Sequence, residues 1–386
     1  MDEPLVSVRE LLDSLFAREA SDLILSAGAA PAFRVDGQLV FSGQSLTPED
    51  TERLIRELLA PQQRVAFSEQ NNVDFSFQWG DHGRIRGNAF RQRGSAAVAL
   101  RAIPTHIPSF EELMLPETVE ELAKAPHGLV LFTGPTGSGK STTQASLIDA
   151  INTEQSRHII TIEDPIEYLH HHKRSVIEQR EVGVDTPSFA SALRSALRED
   201  PDVVLVGEMR DLESIAIALT VAETGHLVFA TLHTNDAGQA IHRMVDVFPS
   251  GQQQQIRVQL GSTLVAVVHQ ELLPKIGGGR VAAFEVLMAT PAVKNLIREN
   301  KVGQLRNVMV TSADAGMCTL EAALGWLVRA GLVSEVDALA RSTFPKEVMI
   351  HSNSYVPSPN GGPAPPPLLQ APDIAGLAAI TSPVRD

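Results

Sequence analysis

The residues best equipped for chemistry lie in one run, Gly134-Pro135-Thr136-Gly137-Ser138-Gly139-Lys140-Ser141-Thr142. Their spacing fits G-x-x-x-x-G-K-[ST], the P-loop pattern. Glycines let successive backbone N–H groups turn toward one anionic site, and a helix opening at Lys140 adds its positive N-terminal end. Lys140 would reach the β- and γ-phosphates of a nucleotide, and Ser141 would ligate Mg²⁺. Before the motif, Gly128 to Thr133 is a short apolar run suited to a buried parallel strand. After it, the stretch from Thr142 to Ile151 carries a helical pattern.

Three later stretches end apolar strands in reactive side chains. His158 to Ile162 runs into Glu163-Asp164-Pro165-Ile166-Glu167. Two adjacent carboxylates would be costly in a core, so they belong at a wet or metal-facing sheet edge, where open α/β sheets bind ligands. Val203 to Val206 runs into Gly207-Glu208-Met209-Arg210-Asp211. Downstream of a P-loop, Glu208 is placed to hold or polarise an attacking water. Gly225 to Thr234 is a further buried strand, bracketed by His226 and His233. These are either satisfied core residues or phosphate sensors; metal ligation lacks a cysteine or a third clustered histidine. His170, His171 and His172 read as a solvated loop.

The elements that must position these residues fall into two parts. In the first, Val6 to Phe16 is spaced as a surface helix and Ala20 to Leu25 as a strand. Ala32 to Val40 reads as a hairpin turning at Asp36-Gly37, and Thr47 caps a helix with Pro48 in its first turn. Asp74 to Phe77 and Arg84 to Arg101 alternate as antiparallel strands. The arginines there, Arg84, Arg86, Arg91 and Arg93, would share strand faces. They are either a solvated surface or arginine fingers for a neighbouring subunit's phosphate. The proline-flanked stretch 104–108 is the expected linker. In the second part, Leu272 to Asn300 and Leu320 to Arg341 read as mainly helical, with a turn at Gly277-Gly278-Gly279-Arg280. Residues 352–386, dense in Pro and Gly, are expected to be disordered.

Composition narrows the function classes. The 386 residues are 43% hydrophobic and 20% charged, with a net charge of −14 and a pI near 5.3. That balance disfavours a nucleic-acid partner. The lone cysteine, Cys318, excludes an intrachain disulfide framework and fits a cytosolic protein. The acidic start is unlike a signal peptide, and no apolar stretch reaches the ~20 residues of a membrane span.

Taken together, the P-loop, the acidic box at 162–167, the stretch at 207–211 and the histidine box at 225–234 resemble the secretion-type hexameric ATPases, a RecA-like family that powers pili and type II secretion. The resemblance covers nearly everything but the Pro-rich tail. Asp22-Leu23, Gln179 to Gly183, Pro274 to Arg280 and Ala292 to Asn300 are most similar to the branch that retracts type IV pili in twitching motility. Gly87 departs from the valine usual there, and the tail resembles the longer C-termini of accessory retraction paralogues. The extra N-terminal domain and four-cysteine motif usual in assembly and secretion branches are not in this sequence.

The resemblance implies an α/β chain. A PAS-like α+β domain (1–103), the linker (104–108) and a RecA-like ATPase domain with a helical end (109–351) precede the tail (352–386). It implies a ring of six, with ATP and Mg²⁺ bound and hydrolysed. Gly134 to Thr142 and His226 would hold nucleotide, and Ser141 and Asp164 the metal. Glu208, with Glu163, Lys140 and His233, would serve hydrolysis, and Arg86, Arg93 and Arg101 would face phosphate. The implied partners are an inner-membrane pilus platform protein and a paralogous retraction ATPase, and the implied place is the cytoplasmic face of the inner membrane. An accessory retraction ATPase and a pilus-assembly or secretion ATPase are the alternative roles, with a nucleic-acid translocase behind them.

Overall fold

The structure is a computed structural model that describes residues 7–353, apart from Asp36, Asp81 and Thr105. The chain divides into two compact units: Met1–His106 with Glu167–Leu169, and Ile107–Ile166 with His170–Asp386. The expected Asp36 turn residue and the Pro-rich tail beyond Asn353 lie outside the described residues.

The first unit begins with helix α1 (Val8–Ala17), capped by Ser7 and Glu10 in a reciprocal capping box and burying Leu11, Leu12 and Leu15. Strands β1 (Asp22–Ser26), β2 (Ala32–Val35) and β3 (Gln38–Phe41) follow. Helix α2 (Pro48–Leu58) starts at the Thr47 cap with Pro48 in its first turn, and α3 (Pro61–Gln70) comes next. Strands β4 (Asn72–Trp79), β5 (Gly83–Gln92) and β6 (Ser95–Ala102) complete an antiparallel sheet of order β3-β2-β1-β6-β5-β4. Its inner face and the helices bury Leu12, Leu15, Leu23, Phe33, Leu54 and Leu100, each stabilising by about 1.5–3 kcal/mol.

Arg84 to Arg101 is not one strand. Gln92 pairs with Ser95, and the turn between them puts Arg93 at φ 49° and Gly94 at φ 80°. A tight hairpin needs positive φ at both central residues, which Gly94 supplies without strain. Arg93 therefore sits on a turn, and Arg84 and Arg86 share one strand face while Arg91 points to the other. The Gly87 departure also has a physical account: a Cβ there would lie 2.3 Å from the Phe75 ring, so the ring fills that space.

The second unit opens with short helices α4 (Phe110–Leu113) and α5 (Glu117–Glu120). Strand β7 (Gly128–Thr133) leads into α6 (Lys140–Glu154). Then come β8 (His158–Glu163), β9 (Val176–Glu181), α7 (Phe189–Ala196), β10 (Val203–Val206), α8 (Leu212–Glu223), β11 (Leu227–Leu232), α9 (Ala237–Asp246) and α10 (Ser250–Thr263). Strands β12 (Leu264–Pro274) and β13 (Arg280–Met288) form a long hairpin. Helices α11 (Pro291–Arg298), α12 (Leu305–Thr311), α13 (Leu320–Arg329), α14 (Glu335–Arg341) and α15 (Pro345–Asn353) end the described chain.

The seven-stranded sheet has the order β13-β12-β7-β11-β10-β8-β9, parallel throughout except for β13 at one edge. Every residue of β7, β10 and β11 is buried, as a parallel sheet covered on both faces requires. Leu272 to Met288 therefore corrects the mainly helical reading. Its apolar run is buried on both faces and carries no period to separate strand from helix. The helical part begins at Pro291, and α13, α14 and α15 add a smaller core around Leu273, Leu324, Leu327 and Val348. Among the described residues, no helix is long and apolar enough to cross a membrane.

Candidate active site

Parallel pairing brings four connections to one edge of the second sheet. The loops after β7, β8, β10 and β11 carry the P-loop, Glu163-Asp164, Gly207-Glu208 and His233 respectively. That carboxyl edge is where open α/β sheets bind ligands.

The phosphate loop is built for backbone approach. Gly134, Gly137 and Gly139 have φ of 135°, 80° and 90°, conformations closed to most side chains. Gly139 caps α6, so the helix begins at Lys140 and its first amides face the loop. Lys140 is buried, and its ammonium donates to the carbonyls of Gly134 and Pro135, both at 2.8 Å. The cation is thus folded into its own loop. The Ser138 hydroxyl is buried in the loop and has no hydrogen-bond partner among the described residues. A phosphate oxygen is an acceptor it could use.

Glu208 and His233 come together from separate loops. His233 Nε2 lies 3.3 Å from one Glu208 carboxylate oxygen, and Arg210 donates to the other at 2.7 Å. The Arg210 hydrogen bond, aided by His233, holds the Glu208 carboxyl below the usual range despite partial burial. Glu208 is therefore ionised at neutral pH and able to accept a proton. Glu163 is differently engaged. It accepts from Thr161 at 2.6 Å and from Gln179 at 3.1 Å. Its strand lies three places from β7, about 14 Å along the sheet. Asp164 is exposed at the same edge.

Two histidine expectations are corrected. His226 precedes β11, and its carbonyl accepts from Gly128 at the start of β7. It sits at the opposite end of these strands from the P-loop, about 20 Å away for six residues, and cannot reach its own chain's phosphate site. Its ring nitrogen is satisfied locally by Val221 and Thr224. The run 170–172 is a loop, with His171 and His172 exposed as expected, but His170 is not solvated. The His170 side chain is buried, and the Ile177 N–H donates to His172 Nδ1. Burial pushes the His170 imidazole down to about 4, so it is neutral. Three consecutive histidines carry no period, and the packing partners came from β9, which pattern did not reveal.

Strand β12 contributes residues that no motif announced. His269 pairs with Thr133 in the sheet, and its Nδ1 lies 3.1 Å from the Thr133 hydroxyl, just ahead of the P-loop. Burial lowers its pKa to about 4. Gln270, next in the chain, lies against the loop itself. Opposite His269 on β13 is Glu285, which accepts the Ala237 N–H at the start of α9 at 2.9 Å. A polar residue spaced within an apolar strand was the available signal for all three.

Burial, with Asp236 and Glu321 nearby, pushes the Glu285 carboxyl up to about 7. The folded state then holds a proton that the unfolded chain releases near 4.5. Stability is full below the unfolded value and falls as pH rises toward 7, by about 3 kcal/mol in all. Glu285→Gln is always neutral. It should therefore melt well above the parent at pH 8 and close to it at pH 5. Equal melting differences at the two pH values would contradict this.

In the first unit, the arginines separate by role. Arg91 forms a two-point ion pair with Glu52 and lies over the Phe67 ring, so it pins α2 and α3 to the sheet. Arg84 donates to Ser76 at 2.7 Å. Arg101 and Arg34 flank Asp22, at 2.8 and 3.5 Å. Arg86 stands opposite Arg101 across the β5–β6 ladder and is exposed, as is Arg93 on its turn.

A family model described as type II/IV secretion system protein matches residues 95–279. The type IV pilus retraction ATPase PilT of Pseudomonas aeruginosa is 47% identical over 342 residues, spanning 88% of this chain and 99% of that protein. The chain belongs to the type II/IV secretion ATPase family. The type IV pilus ATPase PilU of the same organism, another relative, is 42% identical over 335 residues, 86% of this chain and 88% of its own. Among solved structures, the pilus retraction motor PilT with bound ADP superposes at a TM-score of 0.84, with 52% identity over 89% of this chain and 98% of that one. The second unit thus has the fold of this family's ATPases, with the P-loop and the Glu208–His233 pair on the carboxyl edge of its sheet.

Proposed function

We propose that the chain is a Mg²⁺-dependent ATPase motor that retracts a type IV pilus. The observation that carries this is the shared sheet edge, where a buried P-loop lysine follows β7 and an ionised Glu208 follows β10, with His233, which holds Glu208, emerging from β11 between them. The likeness to PilT over nearly the whole chain supplies the pilus. In this reading, amides from Gly134 to Thr142 hold the phosphates and Lys140 turns from its own carbonyls to them. Ser141 would hold Mg²⁺ directly and Asp164, three strands along the same edge, would hold it through ordered water, and the ion would supply positive charge against that developing on the transferred phosphoryl group. Among the described residues no three His, Cys, Asp or Glu side chains gather as a metal site, which suits an ion held by one hydroxyl, a carboxylate and substrate oxygens. Glu208 orients the attacking water and takes its proton, and His233 holds Glu208 and relays the phosphate state.

The active form is a ring of six at the cytoplasmic face of the inner membrane, acting on a pilus platform protein. Phosphate release by the purified chain tests the enzymatic part. It should depend on ATP and Mg²⁺ and not rise with added DNA or RNA. Stimulation by nucleic acid would favour a translocase instead. The likeness to PilU favours a second role, as an accessory to a paralogous retraction ATPase, whose mark would be co-purification of that paralogue.

Arg86, Arg93 and Arg101 are assigned to the phosphates of a neighbouring subunit. Arg86 lies directly opposite Arg101, an arrangement of like charges that costs stability in a sheet, and Asp22 pairs with Arg101. An arginine finger is worth roughly 10³-fold or more in rate. Mixing Arg86→Ala or Arg93→Ala chains with Lys140→Ala chains should restore hydrolysis at interfaces that pair an intact arginine with an intact P-loop. Full activity of every single arginine variant, with no rescue on mixing, would return these residues to an ordinary charged surface.

A further inference from the structure

The phosphate loop carries three glycines at positive φ and no regular structure of its own until α6 begins. Such a segment has more conformational freedom to lose than any other kind of chain. A loop that binds phosphate through backbone amides works only if those amides already point inward. Something must therefore hold it, and neither its sequence nor Lys140 alone explains what does.

Strand β12 lies beside β7 in parallel register, with His269 level with Thr133. The next residue, Gln270, thus comes level with the start of the loop. It meets the loop at two points and the helix that follows at a third. Its backbone carbonyl crowds Gly134 so closely that a Cβ there would lie 2.3 Å from the oxygen. Its side-chain amide nitrogen stands 2.7 Å from where a Cβ on Gly139 would be. Its side-chain carbonyl accepts the Thr143 hydroxyl at 3.0 Å, in the first turn of α6. Gln270 is only 3% exposed. One buried side chain and its own carbonyl therefore meet the first glycine of the loop, the last, and the helix beyond.

We propose that Gln270 is a positioning residue that braces the phosphate loop from the neighbouring strand, so that a nucleotide's phosphates meet amides already in place. This rests on the nucleotide-binding reading of the P-loop. The residue type fits the task. Asparagine is one methylene short of the same span, methionine would fill the space without accepting from Thr143, and glutamate would put a buried negative charge beside an anion site. A glutamine that merely filled the core would support stability without affecting nucleotide affinity.

The test uses the full chain and a fluorescent ADP analogue, whose binding requires no turnover, alongside steady-state hydrolysis of ATP. Gln270→Met should weaken binding of the analogue by about tenfold and raise KM by a similar factor, with kcat changed less than about threefold and the melting temperature nearly unchanged. Thr143→Val removes the same bond from the other side and should act in the same direction. The double variant should be no worse than Gln270→Met alone, because both changes delete one interaction. Parent-like affinity in a folded Gln270→Met protein would overturn the proposal, as would full additivity in the double variant. If Gln270→Met fails to fold, Thr143→Val alone decides: weakened binding supports the brace and unchanged binding refutes it. Lys140→Ala measured with the same analogue separates the two levels. Loss of binding there with none in Gln270→Met sinks the brace alone; no loss in either sinks the nucleotide site as well.

Discussion

Lys140→Ala should abolish hydrolysis while leaving a folded chain. The lysine is buried at the start of α6, and its ammonium donates to Gly134 and Pro135 within the loop. Removing it deletes the side-chain cation that the P-loop itself offers to the phosphates. It also deletes two hydrogen bonds to charged nitrogen, each worth about 1.5–3 kcal/mol, against the cost of burying the ammonium at all. The two terms oppose each other, so the melting temperature should fall by a few degrees only. Phosphate release and thermal melting check both halves. Turnover near that of the parent would contradict the P-loop assignment.

Glu208→Gln should separate binding from chemistry. The substitution keeps size and removes the charge that Arg210 and His233 stabilise. Arg210 is two-thirds exposed, at 67%, so the lost ion pair should cost at most about 1 kcal/mol of stability. A glutamine cannot accept a proton from water, and loss of a general base typically costs 10²- to 10⁴-fold in rate. ATP and Mg²⁺ binding should therefore persist while turnover falls at least about 10²-fold. An equal loss of binding and turnover would make Glu208 a metal ligand and leave Glu163 as the base. The partners of Glu163, Thr161 and Gln179, make that outcome a direct challenge to the account.

The catalytic edge was legible because each part of it is local. Gly134 to Ser141 is a continuous motif, and Glu208 follows an apolar strand directly. Where those strands lie in the sheet was not legible. The order β7-β11-β10-β8 reverses chain order, and it is this order that puts Glu208 nearer the P-loop strand than Glu163. His226 and His233 look symmetric in the sequence. A six-residue strand separates them, so they emerge at opposite edges, and only His233 meets Glu208. Arg93 reads as a strand residue because the two-residue turn it shares with Gly94 interrupts the alternating pattern only briefly. His269, Gln270 and Glu285 were hidden by the run 264–288, which reads as apolar helix or strand equally well. Their roles come from pairing across β7, β12 and β13, and pairing between distant segments leaves no periodic trace in one chain.

The central claim is that ATP hydrolysis by this chain retracts a pilus, and it is tested most directly in the cell that encodes it. The measurement is the number of surface pili per cell, with twitching scored alongside, after deletion of the chain. Retraction predicts more surface pili and no twitching, with both restored by the parent chain and neither by Lys140→Ala. Bald cells would contradict it and assign the motor to assembly.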